Sequence, residues 1–179
     1  MPYAIRRTIL IALIALSGGA AAHKVDDPSK YVTTSIAITG LVEHKLTLSV
    51  DDLKKFPQQQ MSEVPIVNHE GKANTTFRNA KGVLLRDILE KASVKAADHG
   101  DTKKMAIIAT ASDGYVAVYS WSEVFNSVIG DGVLVIFENE GKALDDSDGR
   151  IAMVSAKDTK TGFRHVRWLK GLEVRKIVD

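Results

Sequence analysis

The residues best suited to do chemistry lie near the carboxyl end, in Gly162-Phe163-Arg164-His165-Val166-Arg167-Trp168-Leu169. Arg164 and Arg167 carry planar guanidinium forks that match a phosphate, a carboxylate or a flat polar heterocycle, and the His165 imidazole is the side chain most easily tuned near neutral pH. Read as a strand, the period of two puts His165 and Arg167 on one face and Val166 and Trp168 on the other. One face can then pack while the other meets a planar or anionic ligand. Tyr115, Trp121, Phe163 and Trp168 are the aromatics available to stack on a bicyclic ring, although each also suits a core. An ordinary strand with a solvated basic face is the plainer account of the same periodicity.

Other chemistries are poorly served. The chain contains no cysteine, which excludes disulfides, thiolate metal sites and a cysteine nucleophile together. His69 in Asn68-His69-Glu70-Gly71 has no second histidine at helical or hairpin spacing, as a zinc site would need, and the tetrad does not continue into a zinc-protease helix. There is no glycine-rich phosphate loop, no Gly-x-Ser-x-Gly elbow and no dinucleotide fingerprint. Asp145-Asp146-Ser147-Asp148-Gly149 lacks the alternating acids and closing glutamate of a calcium loop. It reads as a solvated turn.

The elements that must position these residues are short. Thr33 to Val42 and His44 to Val50 read as strands, and Ser49 three before Asp52 starts a short helix ended by Phe56-Pro57. Met61 to Val67 reads as a strand, followed by a polar loop to Asn79. From Lys81 the chain turns into a helix with Leu84, Leu85, Ile88, Leu89 and Ala92 at helical spacing. Lys95 to Lys104 is charged and loop-like. Met105 to Ala111 and Tyr115 to Ser120 form a hairpin through Ser112-Asp113-Gly114. Ser120 and Glu123 make a second capping box, for a helix through Val128 that stops at Gly130-Asp131-Gly132. Val133 to Phe137, Ile151 to Val154 and Leu172 to Val178 are the remaining strands. Many short strands with a few short helices give a single α+β domain over residues 33–179.

The amino terminus has a basic start at Arg6-Arg7, an apolar run from Ile9 to Leu16 and a small-residue end at Ala20-Ala21-Ala22, the pattern of a cleaved secretory signal over residues 1–22. Residues 23–32 read as a flexible lead-in. The apolar run is too short to span a bilayer, so a protein released into the periplasm, with no membrane insertion after cleavage, is expected. Arg6-Arg7-Thr8-Ile9-Leu10 loosely fits a twin-arginine signal, but export of an unfolded chain accounts for the stretch as well. Without residues 1–22 the 24 Lys+Arg fall to 22 against 22 Asp+Glu. A neutral chain of this kind has no field to gather nucleic acid.

The segment Gly162 to Leu169 resembles the carboxyl-terminal signature of the sulfite-oxidase family, the domain that holds the pterin of molybdopterin. Upstream, Leu46 to Phe56, the Gly82-Val83-Leu84-Leu85-Arg86-Asp87-Ile88-Leu89 block, Asp113-Gly114-Tyr115 and the Glu140-Gly141-Lys142 turn resemble the family pattern too. Two departures stand out. Asn68 occupies the position of the family's metal-ligating cysteine, and Gly149 to Ala156 lacks the family's substrate arginine, for which Arg150 is the nearest stand-in.

The resemblance therefore implies a cysteine-less periplasmic branch that binds a free, reduced pterin with no metal and is not an enzyme. In that branch the protein regulates a membrane-bound cyclic-di-GMP synthase or phosphodiesterase through the latter's periplasmic domain. The implied pterin contacts are Asn68, His69, Tyr115, Phe163, Arg164, His165 and Arg167. The alternatives are a molybdopterin-dependent oxidoreductase with a non-thiolate metal site, and an interaction module that has lost its ligand.

Overall fold

The computed structural model describes residues 27–98 and 100–178, so the segment read as an export signal lies outside the described residues. The chain runs β1 (Ser35–Gly40), β2 (Leu46–Ser49), α1 (Val50–Leu53), β3 (Gln58–Val67), β4 (Ala73–Leu84), α2 (Leu85–Ala92), β5 (Met105–Ala111), β6 (Val116–Ser120), α3 (Trp121–Phe125), β7 (Val133–Asn139), β8 (Lys142–Ala143), β9 (Ala152–Ser155) and β10 (Leu169–Lys176). Two sheets with three short helices realise the expected α+β class.

The first sheet has the order β2-β1-β10-β5-β6, with β1 and β10 parallel and the other neighbours antiparallel. In the second, β3 pairs β4, β4 pairs β7, and β7 also pairs β8 and β9, all antiparallel. The main core joins Ile36, Ile38, Leu172 and Val174 of the first sheet to Leu85, Ile88 and Leu89 of α2 and to Val133, Val135 and Phe137 of β7. Leu134 and Ile136 turn the opposite way, into a smaller cluster with Val64, Ile66 and Phe77. Because β7 is buried on both faces, it reads as a continuous apolar run rather than an alternation. The capping boxes at Ser49/Asp52 and Ser120/Glu123 both form, since each lets a serine hydroxyl and an acid satisfy two end-of-helix donors reciprocally.

Three expectations change. Residues 73–79 are not a loop: they open the long strand β4, paired to β3 from Gln58↔Val83 to Val67↔Ala73. The polar Asn74, Thr75, Arg78 and Asn79 lie on its exposed positions and only Phe77 and Ala80 are buried in the same reach, so the alternation is too sparse to see. The helix accordingly starts at Leu85 and not at Lys81. The lead-in is in contact with the domain from residue 28: Pro28–Tyr31 form a 3₁₀ turn, the Tyr31 ring packs 5.5 Å from Trp168, and Ser112 Oγ donates to the Tyr31 carbonyl. Finally, residues 162–169 are not one strand. Thr161–Arg164 make a 3₁₀ turn, Val166 exchanges backbone bonds of 2.8 Å with Met153, Trp168 sits in the left-handed region at φ 50°, and β10 begins only at Leu169.

Candidate ligand groove

The turn at 161–164 is fastened to the end of β3. Thr161 Oγ1 accepts from the Val67 amide at 2.8 Å and donates to the Pro65 carbonyl at 2.5 Å, and Lys160 Nζ donates to the His69 carbonyl at 2.6 Å. Glycine is needed at 162 because a Cβ there would stand 2.7 Å from the Val67 carbonyl oxygen. On the other side Tyr115 OH donates to the Phe163 carbonyl at 2.7 Å. These ties bring four loops around an open groove of about 890 Å³: the β3–β4 tip with Asn68 and His69, the β5–β6 turn with Asp113 and Tyr115, the 145–149 loop with Asp145 and Asp148, and the segment carrying Phe163, His165 and Arg167.

Six of the seven residues expected at the ligand thus meet in one place, and Arg164 does not. Its side chain is 17% exposed, with Nε 2.7 Å from Asp158 Oδ2, Nη1 2.9 Å from Glu123 Oε1 and the guanidinium carbon 4.4 Å over the Tyr119 ring. Alternation already sets residue 164 with Val166 and Trp168, and the inward side is where it lies. Val166 and Trp168 are both fully buried, so the faces fall as the period of two requires even though the backbone is irregular. Trp168 is core, and Trp121 stacks on Phe125 at 3.9 Å, outside the residues that line the groove. Arg150 binds Asp146 at 2.9 Å through Nε and lines a separate shallow cleft with Asp27 and Ser29. It does not substitute for a substrate arginine in the groove.

Polar groups around the groove differ in how far they are already used. Asn68 is spent on its own hairpin: Oδ1 accepts from the Glu70 and Lys72 amides, both at 3.0 Å, and Nδ2 donates to Asn74 at 3.2 Å. His69 is exposed, 3.9 Å from Glu70. His165 is packed edge-on against Phe77 at 5.4 Å, and its Nε2 is closed from solvent with no hydrogen-bond partner. Burial, helped by the charge of Arg167, pushes the imidazole down to about 4, so it is neutral at neutral pH. Arg167 lies with its guanidinium 4.4 Å over the Trp168 ring and makes no hydrogen bond or salt bridge among the described residues.

Asp148 went unnoticed in the sequence, where 145–149 reads as a solvated turn. That reading holds for Asp145, whose Oδ1 accepts from the Ser147 amide and hydroxyl and the Asp148 amide at 2.6–3.1 Å. Asp148 instead faces the groove. Burial, then the nearby Asp145, pushes its carboxyl up to about 6 against the opposing pull of Arg167.

Among the described residues no group of three or more His, Cys, Asp or Glu is placed to hold a metal ion. The groove is instead lined by the exposed ring of Phe163, the neighbouring phenol of Tyr115, the His165 ring and the unpaired guanidinium of Arg167.

The sequence profile described as "Oxidoreductase molybdopterin binding domain" matches residues 22–178. No curated protein sequence matches the chain. Among solved structures, the sulfane dehydrogenase SoxCD of Paracoccus pantotrophus superposes with a TM-score of 0.58 at 20% identity, over 84% of this chain and 39% of that one, a likeness of fold. This chain thus spans well under half of that longer protein. The profile overturns the expectation of a free pterin with no metal. The cofactor named for the domain is molybdopterin, and Asn68 offers it no thiolate. With its fold, its groove and a profile match across nearly its whole length, the chain belongs to the oxidoreductase molybdopterin-binding domain family.

Proposed function

We propose that the groove holds a molybdopterin-class ligand, with the pterin ring against Phe163 and Tyr115 and its polar edge met by His165 and Arg167. The observation that carries this reading is Arg167, whose guanidinium lines the groove with Phe163 and Tyr115 and makes no hydrogen bond or ion pair among the described residues. A free donor fork of this kind meets a flat polar edge through two parallel bonds. Such a cofactor, when bound, supplies a redox-active metal centre. The chain supplies binding: Arg167 contributes donors in a fixed fork, neutral His165 offers one donor or acceptor according to its tautomer, and the two aromatics exclude water from the ring faces.

How the bound ligand is used divides into two readings. Asn68 offers no sulfur and Arg150 is turned away, and both support an exported sensor whose filled and empty forms differ in affinity for the periplasmic domain of an inner-membrane cyclic-di-GMP enzyme. The likeness of fold to a sulfane dehydrogenase supports the other use, an oxidoreductase domain. The test is to purify the protein from its own cells, denature and oxidise it, and measure released pterin by fluorescence and molybdenum by elemental analysis. A stoichiometric pterin, lost in Arg167→Ala, is expected; none in the wild type would overturn the reading. Cyclic-di-GMP levels that do not change on deletion of the gene would remove the sensor use.

A further inference from the structure

Two polar groups on residues that line the groove make no hydrogen bond or ion pair among the described residues: the Arg167 guanidinium and the Asp148 carboxylate. The first was legible as a ligand contact. The second is of opposite kind, an acceptor fork in a half-buried position where an unpaired carboxylate is costly.

Asp148 is also held firmly. On one side of it Trp168 Nε1 donates to the Asp146 carbonyl at 2.7 Å, and its own carbonyl accepts from the Trp168 amide at 3.1 Å. On the other side Gly149 sits at φ +89°, where a Cβ would come within 2.3 Å of the Trp168 ring. The loop is pinned to the largest fully buried side chain of the described residues, so the carboxylate is presented to the groove by a rigid support. Arg167 is near enough for its charge to act on Asp148, yet no salt bridge joins them. A carboxylate and a guanidinium that share a groove without pairing leave room for a group that bridges them.

We propose that Asp148 is the specificity-determining residue of this groove: its two oxygens accept the parallel N–H donors of a 2-aminopyrimidin-4-one edge, while Arg167 donates to an acceptor of the same ring system. This rests on the reading of the groove as a pterin site. A carboxylate matches a cyclic guanidine edge as it matches arginine, through two parallel charge-assisted bonds. A ring whose edge carries a carbonyl in place of the amine would instead face like partial charges from Asp148, with Asp145 and Asp113 behind it on the same groove.

The experiment uses the full chain made in cells unable to synthesise molybdopterin, titrated with pterin (2-amino-4-oxopteridine) and with lumazine, its 2,4-dioxo counterpart. The wild type should prefer pterin by about ten- to a hundredfold, the discrimination expected of a charge-assisted pair. Asp148→Asn should bring the two affinities to within about threefold by weakening pterin alone, while melting no lower than the wild type. Equal affinities in the wild type, or a preference that survives Asp148→Asn, overturn the assignment of Asp148 while leaving the groove as a pterin site. Binding of neither compound overturns both.

Discussion

Arg164 grips Asp158 with two donors, Nε to Oδ2 at 2.7 Å and Nη2 to Oδ1 at 2.5 Å, and both side chains are largely buried. The third nitrogen reaches Glu123, the residue whose other oxygen caps α3 at the Ser120 amide. Arg164 therefore ties the 161–164 turn to α3 and to the segment after β9. Arg167, three positions on, has no carboxylate within hydrogen-bond reach and sits at the groove. Two arginines of one motif are differently placed, one bound into the architecture and one unpaired at the groove.

Their alanine variants should part accordingly. Arg164→Ala leaves Asp158 buried and unpaired and should lower stability by about 3 kcal/mol, toward the low end for a broken buried pair because the cluster retains some solvent. Arg167→Ala should leave the denaturation midpoint within about 0.5 kcal/mol of the wild type and reduce pterin affinity ten- to a hundredfold, about 1.5 to 3 kcal/mol. Chemical denaturation and calorimetric titration of both variants check this; a collapse of the Arg167→Ala melt would mean that its packing over Trp168 matters more than its free donors.

Trp168 has no exposed surface and closes the core beneath the groove. Trp168→Ala should cost about 3 to 5 kcal/mol. Trp168→Phe keeps much of the apolar volume but orphans the Asp146 carbonyl, so a smaller loss of about 1 to 3 kcal/mol is expected. Equal losses in the two variants would show that the indole hydrogen bond, and not the ring volume, dominates.

Much of this arrangement is legible in the sequence. The capping boxes, the β5–β6 hairpin and the apolar periodicity of α2 are local signals, set by residues within a turn or two of one another. At the site, chemistry named His165, Arg167, Phe163 and Tyr115, and the period of two put Val166 and Trp168 in the core. What escaped depends on tertiary pairing. Strand β4 is specified by β3 across ten residues of register and by few apolar side chains of its own. The Arg164 guanidinium reads as a ligand contact from sequence, although it is held by Glu123 and Asp158, and the first lies far away in sequence. Asp148 looked like one more acid in a polar turn because only Trp168, twenty positions on, fixes where that turn faces.

The two perturbed groups of the groove pull stability in opposite directions with pH. His165 is depressed by burial and by Arg167, to about 4 from an unfolded value of 6.5, so the unfolded chain binds its proton first and stability falls as pH drops through that window. Asp148 is raised by burial and by Asp145, to about 6 from 3.8; the folded chain binds this proton first, which favours folding as pH drops from 6 toward 4. Asp148→Asn should therefore be more stable than the wild type at pH 7, by about 1 to 2 kcal/mol after allowance for solvent screening, and the advantage should vanish near pH 4. Denaturation midpoints of the pair across pH 4–8 test it. A difference that does not shrink with acid would mean the carboxylate is not strained at neutral pH.

The last prediction concerns Thr161, which carries no ligand contact and was not singled out in the sequence. Its hydroxyl is buried and does two jobs, accepting from the Val67 amide and donating to the Pro65 carbonyl, at the point where the register of β3 shifts between Ile66 and Val67. Without that hydroxyl, one backbone donor and one acceptor lose their partners at the irregular end of a strand, where the neighbouring β4 cannot replace them. Thr161→Val conserves shape and removes both bonds, so a loss of about 2 to 4 kcal/mol is expected. Thr161→Ser keeps the hydroxyl and gives up one methyl group, a loss of about 1 kcal/mol. Because the same turn carries Phe163 and leads to His165, pterin affinity should fall in Thr161→Val and be retained in Thr161→Ser. Thermal melts and titrations of the two variants separate the bond from the volume, and a valine variant that melts and binds like the wild type would show that the turn is held by the Met153–Val166 pairing alone.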